Sequence, residues 1–337
     1  MLSLLVLLTV MLLALTIFYF WASSATLPET KYSQLIFIPS ASPPENSPVF
    51  TVLTYNIGYL SGMTNNLPVQ PDPSLYKKNA AIFIQQLKTH PPDFFAVQEI
   101  DYFSRRSYYI DQLFLFMKEA AYPYAAKAIN WDKRYVPFPY WPPAVQFGRI
   151  LAGQAVVSKY PILSAARIVL PKPKNSPFYY NAFYLDRLVQ VVKIKIQTRI
   201  LVLLNVHLEA FDLETRQIQA DQVLNIYRSY QNDFPVLLIG DFNALPPDAL
   251  QKKNFSDEPQ TDYSTDTTIQ LFLNEPGLKS ALPLSSPFTF PSDVPTRKLD
   301  YIFYNGEKIT CLGAEVIHIS SSDHLPFAMR FTFNPGV

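Results

Sequence analysis

The sequence holds a single cysteine, Cys311, among 337 residues. That count excludes an intramolecular disulfide and a cysteine-rich zinc cluster, so any metal must sit on oxygen or imidazole ligands. Net charge is nearly absent too, with 28 Lys+Arg against 27 Asp+Glu and a formal value of +1. No global basic field therefore draws in nucleic acid over long range, although a local basic groove is compatible with this balance. No GxSxG elbow occurs, which counts against an acyl hydrolase. Neither GxxxxGK[ST] nor GxGxxG occurs, so nucleotide-dependent transfer lacks its phosphate cradle. Internal repeats, low-complexity blocks and a linker that would divide residues 49–337 are also missing. With 49% hydrophobic composition, the chain is instead long enough for a large folded core.

Charge is absent in one further place. No charged side chain precedes Glu29, and residues 4–21 form an apolar run broken only by Thr9 and Thr16. That length approaches the roughly 20 residues of a spanning helix. Ser23, Ser24 and Ala25 would also suit a signal-peptide cleavage site, but the run exceeds a typical signal core and no Lys or Arg precedes it. The reading favours an uncleaved anchor over residues 1–25, with Phe18, Tyr19, Phe20 and Trp21 as an interfacial aromatic belt and the remainder on the extracytoplasmic side; cleavage would make the protein secreted. Residues 26–48, rich in proline and serine, read as a linker. Residues 49–337 then form one domain, with strands expected at 49–55, 94–97, 155–157, 188–196, 200–206, 236–239, 299–304, 314–319 and 327–333. Helical patterns cover 74–89, 109–121 and 214–230, the first stopped by Pro91 and Pro92. Many strands with few helices between them disfavour a purely parallel sheet. Two mixed sheets packed face to face with helices outside fit the pattern.

The apolar runs end oddly. FTVLTYN finishes on Asn56, FFAVQE on Glu99, ILVLLNVH on His207, and VLLIGDFN on Asp241 and Asn243. Asp300 opens DYIFY, and Asp323 and His324 precede LPFAMRF. Taken singly, each has a bland explanation as a turn cap, a solvated strand end or a satisfied interior histidine. Together they place polar groups repeatedly beside a core, which is costly unless they have partners. Carboxylates and carboxamides without cysteine suit a hard cation, Mg²⁺ or Mn²⁺. Only four histidines exist and two lie in this set, each with a candidate carboxylate nearby. A cation, a carboxylate base and oriented imidazoles make a kit for hydrolysing phosphoesters.

The ordered set TYNIG, AVQEID, NVHLEAFD, GDFNALP, LDYIF and SSDHLPF, spanning residues 50–333, resembles the endonuclease/exonuclease/phosphatase superfamily. The resemblance implies an α/β fold, a four-layer α/β/β/α sandwich of two mixed β-sheets, here preceded by one transmembrane helix. It implies Glu99 as principal Mg²⁺ ligand supported by Asn56, with Asp323 joining the metal shell. Asp241 would position or deprotonate water, Asn243 would hold phosphate or a metal-bound water, and His207 would contact the scissile phosphate with Asp186 orienting it. His324 would be the second catalytic histidine, oriented by Asp300. GQAVVSKYPI resembles a further family segment, and Gln154 and Arg187 are candidate phosphate contacts. Many abasic-site endonucleases carry an acidic or amide residue where this chain has Gly58, which weakens a DNA-repair reading.

Residues 131–150 are rich in aromatics and proline, with Lys133, Arg134 and Arg149 interspersed. They read as a self-packed surface insertion, an interfacial loop meeting lipid, or a base-stacking loop. The expectation is a membrane-anchored, Mg²⁺-dependent phosphoesterase that hydrolyses a phosphodiester or phosphomonoester, with a lipid or other membrane-proximal substrate favoured over nucleic acid. A secreted or surface nuclease and a catalytically silent binding module of the same fold are the competing readings.

Overall fold

The computed structural model describes residues 2–39, 47–283 and 287–336. Among these residues, thirteen strands fall into two mixed sheets. The first contains β1 (Ser33–Phe37), β2 (Phe50–Asn56), β3 (Phe94–Asp101), β4 (Tyr124–Val136) and β5 (Gly148–Ser158), and the chain returns to it at its end with β12 (Ile309–Val316) and β13 (Phe327–Phe333). The second contains β6 (Ile162–Val169), β7 (Leu188–Ile196), β8 (Arg199–His207), β9 (Val236–Asp241), β10 (Leu278–Ser280) and β11 (Asp300–Asn305). Their orders are β1-β4-β5-β3-β2-β13-β12 and β10-β11-β9-β8-β7-β6.

Side-chain alternation assigns the layers. Val52, Phe94 and Ala96 of the first sheet meet Leu201, Leu203, Leu237 and Ile239 of the second in a shared core. The opposite faces are covered by helices. Leu53, Tyr55 and Phe95 lie under α2 (Pro73–Thr89) and α3 (Gln112–Glu119), while Val202, Leu204 and Leu238 lie under α5 (Leu213–Gln231) and α6 (Thr268–Leu273). The period of two in the strands and the apolar faces of the helices thus produce the expected four-layer α/β/β/α sandwich. Asp72, Asp111 and Asp212 cap α2, α3 and α5 by accepting backbone N–H groups. α3 starts later than the sequence predicts because Tyr108 and Tyr109 are left-handed, with φ of 57° and 59°.

Two pairs are parallel, β2 with β3 and β8 with β9, and α2 and α5 supply their crossovers. All four strands therefore end on one rim. β11 runs antiparallel to β9 with Asp300 opposite Asp241, and β13 runs antiparallel to β2 with Phe327 opposite Thr54. The two strands that enter at their polar residues thus enter where the other four leave. Beneath the rim, the sheets are joined by a polar layer. Gln98 Nε2 donates to Asn205 Oδ1 at 2.7 Å, and Asn205 Nδ2 donates to Gln190 Oε1 at 3.2 Å.

α1 (Leu2–Ser23) is long and apolar enough to cross a membrane. Its C-terminal end is built into the sandwich. Lys133 Nζ donates to Ser23 O at 2.9 Å, placing a cation at the negative end of the helix dipole, and Arg134 N donates to Ser24 O at 3.1 Å. Buried Asp132 accepts the N–H groups of Thr26 and Leu27 at 3.0 and 2.8 Å, the Tyr32 hydroxyl at 3.2 Å and Arg149 Nη1 at 2.7 Å. Burial alone would raise its carboxyl pKa, but these donors hold it below the usual range.

The expected linker over 26–48 needs correction. Ser33–Phe37 pairs with β4, from Ser33 opposite Ala128 to Phe37 opposite Tyr124, and so belongs to the first sheet. Residues 40–46 of that segment lie outside the described residues. The strand expected at 314–319 lies at Ile309–Val316, where it pairs with β13 through a bulge between Cys311 and Gly313.

Candidate active site

Three rim residues are delivered by local backbone features. Glu99 sits in a bulge of β3, where pairing with β5 shifts between Val97 and Ile100, and its φ is 52°. The extra residue turns the carboxylate out of the ladder. Gly240 has a φ of 142°, and a Cβ there would lie 2.0 Å from Val206 O. This close approach of β9 to β8 places Asp241 opposite His207. Asn243 also has positive φ, 50°, and its backbone N–H donates to Asp241 Oδ1 at 2.9 Å.

Asp241 is the centre of the arrangement. Its Oδ2 accepts Asn56 Nδ2 at 2.9 Å and lies 3.5 Å from His207 Nε2 and 3.7 Å from His324 Nε2. Burial and the nearby Asp300 raise its pKa to about 7, against the lowering influence of His324, Asn56 and the Asn243 N–H. His324 Nδ1 donates to Asp300 Oδ2 at 2.8 Å. Burial would lower the His324 pKa, but Asp300, Asp241 and Asp323 together raise it to about 10. His207 behaves oppositely. Burial, with Arg187 and His324 adding repulsion, holds its pKa well below the ordinary imidazole value. Arg187 Nη1 lies 2.5 Å from His207 Nε2, and because guanidinium is a donor only, Nε2 must accept. The proton of neutral His207 then sits on Nδ1, which is buried without a partner.

Beside this centre, Glu99 and Asp323 converge. Asn65 Nδ2 donates to Glu99 Oε2 at 3.3 Å and to Asp323 Oδ2 at 2.9 Å, while Asn56 Nδ2 lies 3.2 Å from Glu99 Oε1. Burial and the charge of Glu99 raise the Asp323 pKa. Two carboxylates sharing one amide, beside the buried and unpartnered Asn65 Oδ1, make a donor set suited to a hard divalent cation. The Asp241, Asp300 and His324 group also brings ligand atoms within 4.8 Å of one another, but two of its members are already committed to the His324–Asp300 hydrogen bond.

The structure therefore gathers Asn56, Glu99, His207, Asp241, Asn243, Asp300, Asp323 and His324 at one rim. It does not bring Asp186 to His207. The Asp186 carboxylate bonds Arg167 Nη2 at 2.6 Å and pairs with Lys172 Nζ at 3.0 Å. Asp186 and Arg187 are adjacent in sequence, and it is Arg187 that meets the imidazole. Gln154 is also displaced from its expected place. It is fully buried and donates to Asn205 O at 3.1 Å, in the layer between the sheets. Asn243 donates its amide to Leu208 O at 2.9 Å, tying the loops after β8 and β9.

Sequence reasoning missed Asn65, Tyr184 and Glu209. Tyr184 Oη donates to Glu209 Oε1 at 2.9 Å, and Glu209 lies 3.7 Å from Arg187 Nε, so both brace the arginine. None of the three ends an apolar run, which was the signal that revealed the others. Only the acidic residue two positions after His207 was visible in NVHLE.

The model of the family described as "Endonuclease/Exonuclease/phosphatase family" matches residues 53–324. The fold is similar to that of the human Nocturnin catalytic domain with bound sulfate anion, at 16% identity and TM-score 0.58, covering 92% of this chain and 100% of that one. It is similar to a mannosyl-6-phosphatase from Bacteroides thetaiotaomicron, at 15% identity and TM-score 0.58, covering 84% and 100%. An endonuclease/exonuclease/phosphatase from Beutenbergia cavernae aligns at 18% identity and TM-score 0.59, covering 85% and 72%. No curated protein matches the sequence.

Proposed function

The chain belongs to the endonuclease/exonuclease/phosphatase family, whose members hydrolyse phosphoesters, and from that premise we propose that it is a membrane-anchored, Mg²⁺-dependent phosphoesterase acting on a lipid headgroup. α1 is the retained anchor, and the domain from residue 49 onward, with β1 added to its first sheet, faces the extracytoplasmic side. The observation that carries the catalytic reading is Asp241, held between two imidazoles of opposite protonation beside a pair of converging carboxylates.

Glu99 and Asp323 would hold the cation, Mg²⁺ or Mn²⁺, with Asn56 supporting Glu99 through its amide N–H. When bound, the cation offsets negative charge on the phosphoryl oxygens. Asp241 accepts the proton of the attacking water, and Asn243 fixes the carboxylate through its backbone N–H. His324, kept charged by Asp300, offers an Nε2 proton toward the transferring group. Neutral His207 and charged Arg187 face the phosphate, with Arg187 supplying fixed positive charge in a buried setting. The test is hydrolysis by the full chain in phosphatidylcholine vesicles, with sphingomyelin or a phosphoinositide in the bilayer and single- or double-stranded DNA in solution, with Mg²⁺ or chelator. Chelator-sensitive lipid cleavage is expected. Cleavage of DNA alone would replace the lipid reading with a tethered nuclease, and no turnover of any substrate would leave a silent binding module.

A further inference from the structure

The anchor and the active site share one end of the sandwich. The root of α1 is fastened at residues 132–134 of β4, where Asp132 lies opposite Leu151 of β5 and the neighbouring Ala152 lies opposite Asp101 of β3. Glu99 is on that same β3, two strands away, or about 10 Å. A second connection runs through residues 170–187, which include α4 (Phe178–Phe183). Phe178 and Phe183 pack on Tyr19 of α1 with ring centroids 6.2 and 5.8 Å apart, and Trp131 Nε1 donates to Phe183 O at 2.7 Å. Tyr184 and Arg187 follow directly, and Arg187 reaches His207.

Large apolar side chains stand uncovered around this root. Tyr140 and Trp141 are 68% and 77% exposed, Phe178 and Tyr179 are 77% and 56% exposed, and Phe211, just past His207 on the same rim, is 80% exposed. Single exposed apolar residues are ordinary, but Phe178 packs on Tyr19 of the uncovered apolar helix and on Tyr179, so these exposed aromatics extend the helix surface. Arg134 and Lys174, both exposed, add cations among them. At 1.5 Å per residue, the 22-residue α1 spans roughly 33 Å, enough for a hydrocarbon core.

We infer that the catalytic rim is itself the bilayer-facing surface: Tyr140, Trp141, Phe178 and Tyr179 enter the leaflet from which α1 emerges, and the enzyme takes phosphoester headgroups from that same leaflet. The occupant of the aromatic surface is lipid because the surface continues an apolar helix, and aromatic rings with flanking cations match the interface between acyl chains and headgroup phosphates. This inference rests on the reading of α1 as a retained anchor and of the rim as a phosphoesterase site. It adds the orientation of the domain and restricts the substrate to lipids of the enzyme's own membrane.

The experiment places an environment-sensitive dye on Tyr140→Cys or Phe178→Cys in a Cys311→Ser background of the full chain. A reference dye on Leu163→Cys reports from the far end of β6. The protein is reconstituted in phosphatidylcholine/phosphatidylglycerol vesicles with or without brominated lipid. Blue-shifted emission and bromine quenching at 140 and 178, but not at 163, are expected; all three dyes remaining in water would overturn the inference. Hydrolysis of sphingomyelin and a phosphoinositide is then compared when the lipid shares the enzyme's vesicle and when it sits in separate vesicles. Cleavage confined to the shared vesicle is expected, and equal rates in both would overturn it. Trp141→Ser with Phe178→Ser should lower lipid turnover at least about tenfold while turnover of soluble bis(p-nitrophenyl) phosphate is unchanged, and unchanged lipid turnover would count against the surface. Failure of the wild type on the soluble ester, with both dyes quenched, would instead remove the catalytic reading.

Discussion

Asp241 and the two histidines show how burial divides similar groups into different protonation states. His324 faces three carboxylates and stays charged, whereas His207 faces a guanidinium and stays neutral. In Asp241→Asn the oxygen and nitrogen still fill the space, but the group no longer accepts a proton from water. Turnover should fall by about 10²–10⁴, the range attributable to a general base, with an unchanged circular dichroism spectrum. Full activity in the folded variant would remove Asp241 from that role. The direction of pH dependence follows from the raised carboxyl. Above a pKa of about 7 Asp241 is charged and able to serve as the proposed base, and below it the proton is already in place. The rate is therefore present above that value and lost as pH falls through it, and a cation bound nearby stabilises the charged form. The acid limb of kcat/KM should lie at or below about 7 and move lower as Mg²⁺ is raised. A limb near 7 on the alkaline side would identify Asp241 as a proton donor instead.

Among the elements, β4 joins α1 to the first sheet. Asp132 is the hub, and Asp132→Ala leaves the N–H groups of Thr26 and Leu27 without their acceptor. Losing a hydrogen bond to a charged group costs about 1.5–3 kcal/mol, so local opening around residues 24–32 should rise roughly tenfold or more, read as faster limited proteolysis there. Equal cleavage rates would mean that the root is held elsewhere. The elements also differ in how plainly they could be read. β8 and β9 stand out as apolar runs because they are buried on both faces, and the two clearest helices carry Asp caps. β1, β4 and β6 went unread because they are edge-side or half-exposed. SQLIF lies in a polar stretch, NWDKRYV carries charges that serve as root contacts, and ILSAARIV alternates too weakly. The site was legible where a polar residue interrupted an apolar run, as at Glu99 and Asp241. It was not legible at Asn65 or Tyr184, which reach the rim from loops, and the choice between Asp186 and Arg187 depends on which neighbour faces inward.

For the whole molecule, a bound cation would link chemistry to stability. If Glu99 and Asp323 hold Mg²⁺ only in the folded chain, Mg²⁺ at 100 times its Kd stabilises by about 2.7 kcal/mol. For a domain of this size that corresponds to a rise in Tm of roughly 5 °C. Glu99→Gln should abolish the rise, and a rise that persisted in the variant would place the cation elsewhere. The return of the chain to its first sheet has a further consequence, for biosynthesis. β13 pairs with β2 across almost the full length of the sequence, and His324 arrives only with the approach to that last strand. A chain halted after residue 241 but before residue 323 has Asp241 and His207 but neither the charged imidazole nor the Asp323 carboxylate. On the proposed reading the emerging chain would be inert throughout synthesis, and activity would begin with the closure of a single, long-range strand pair.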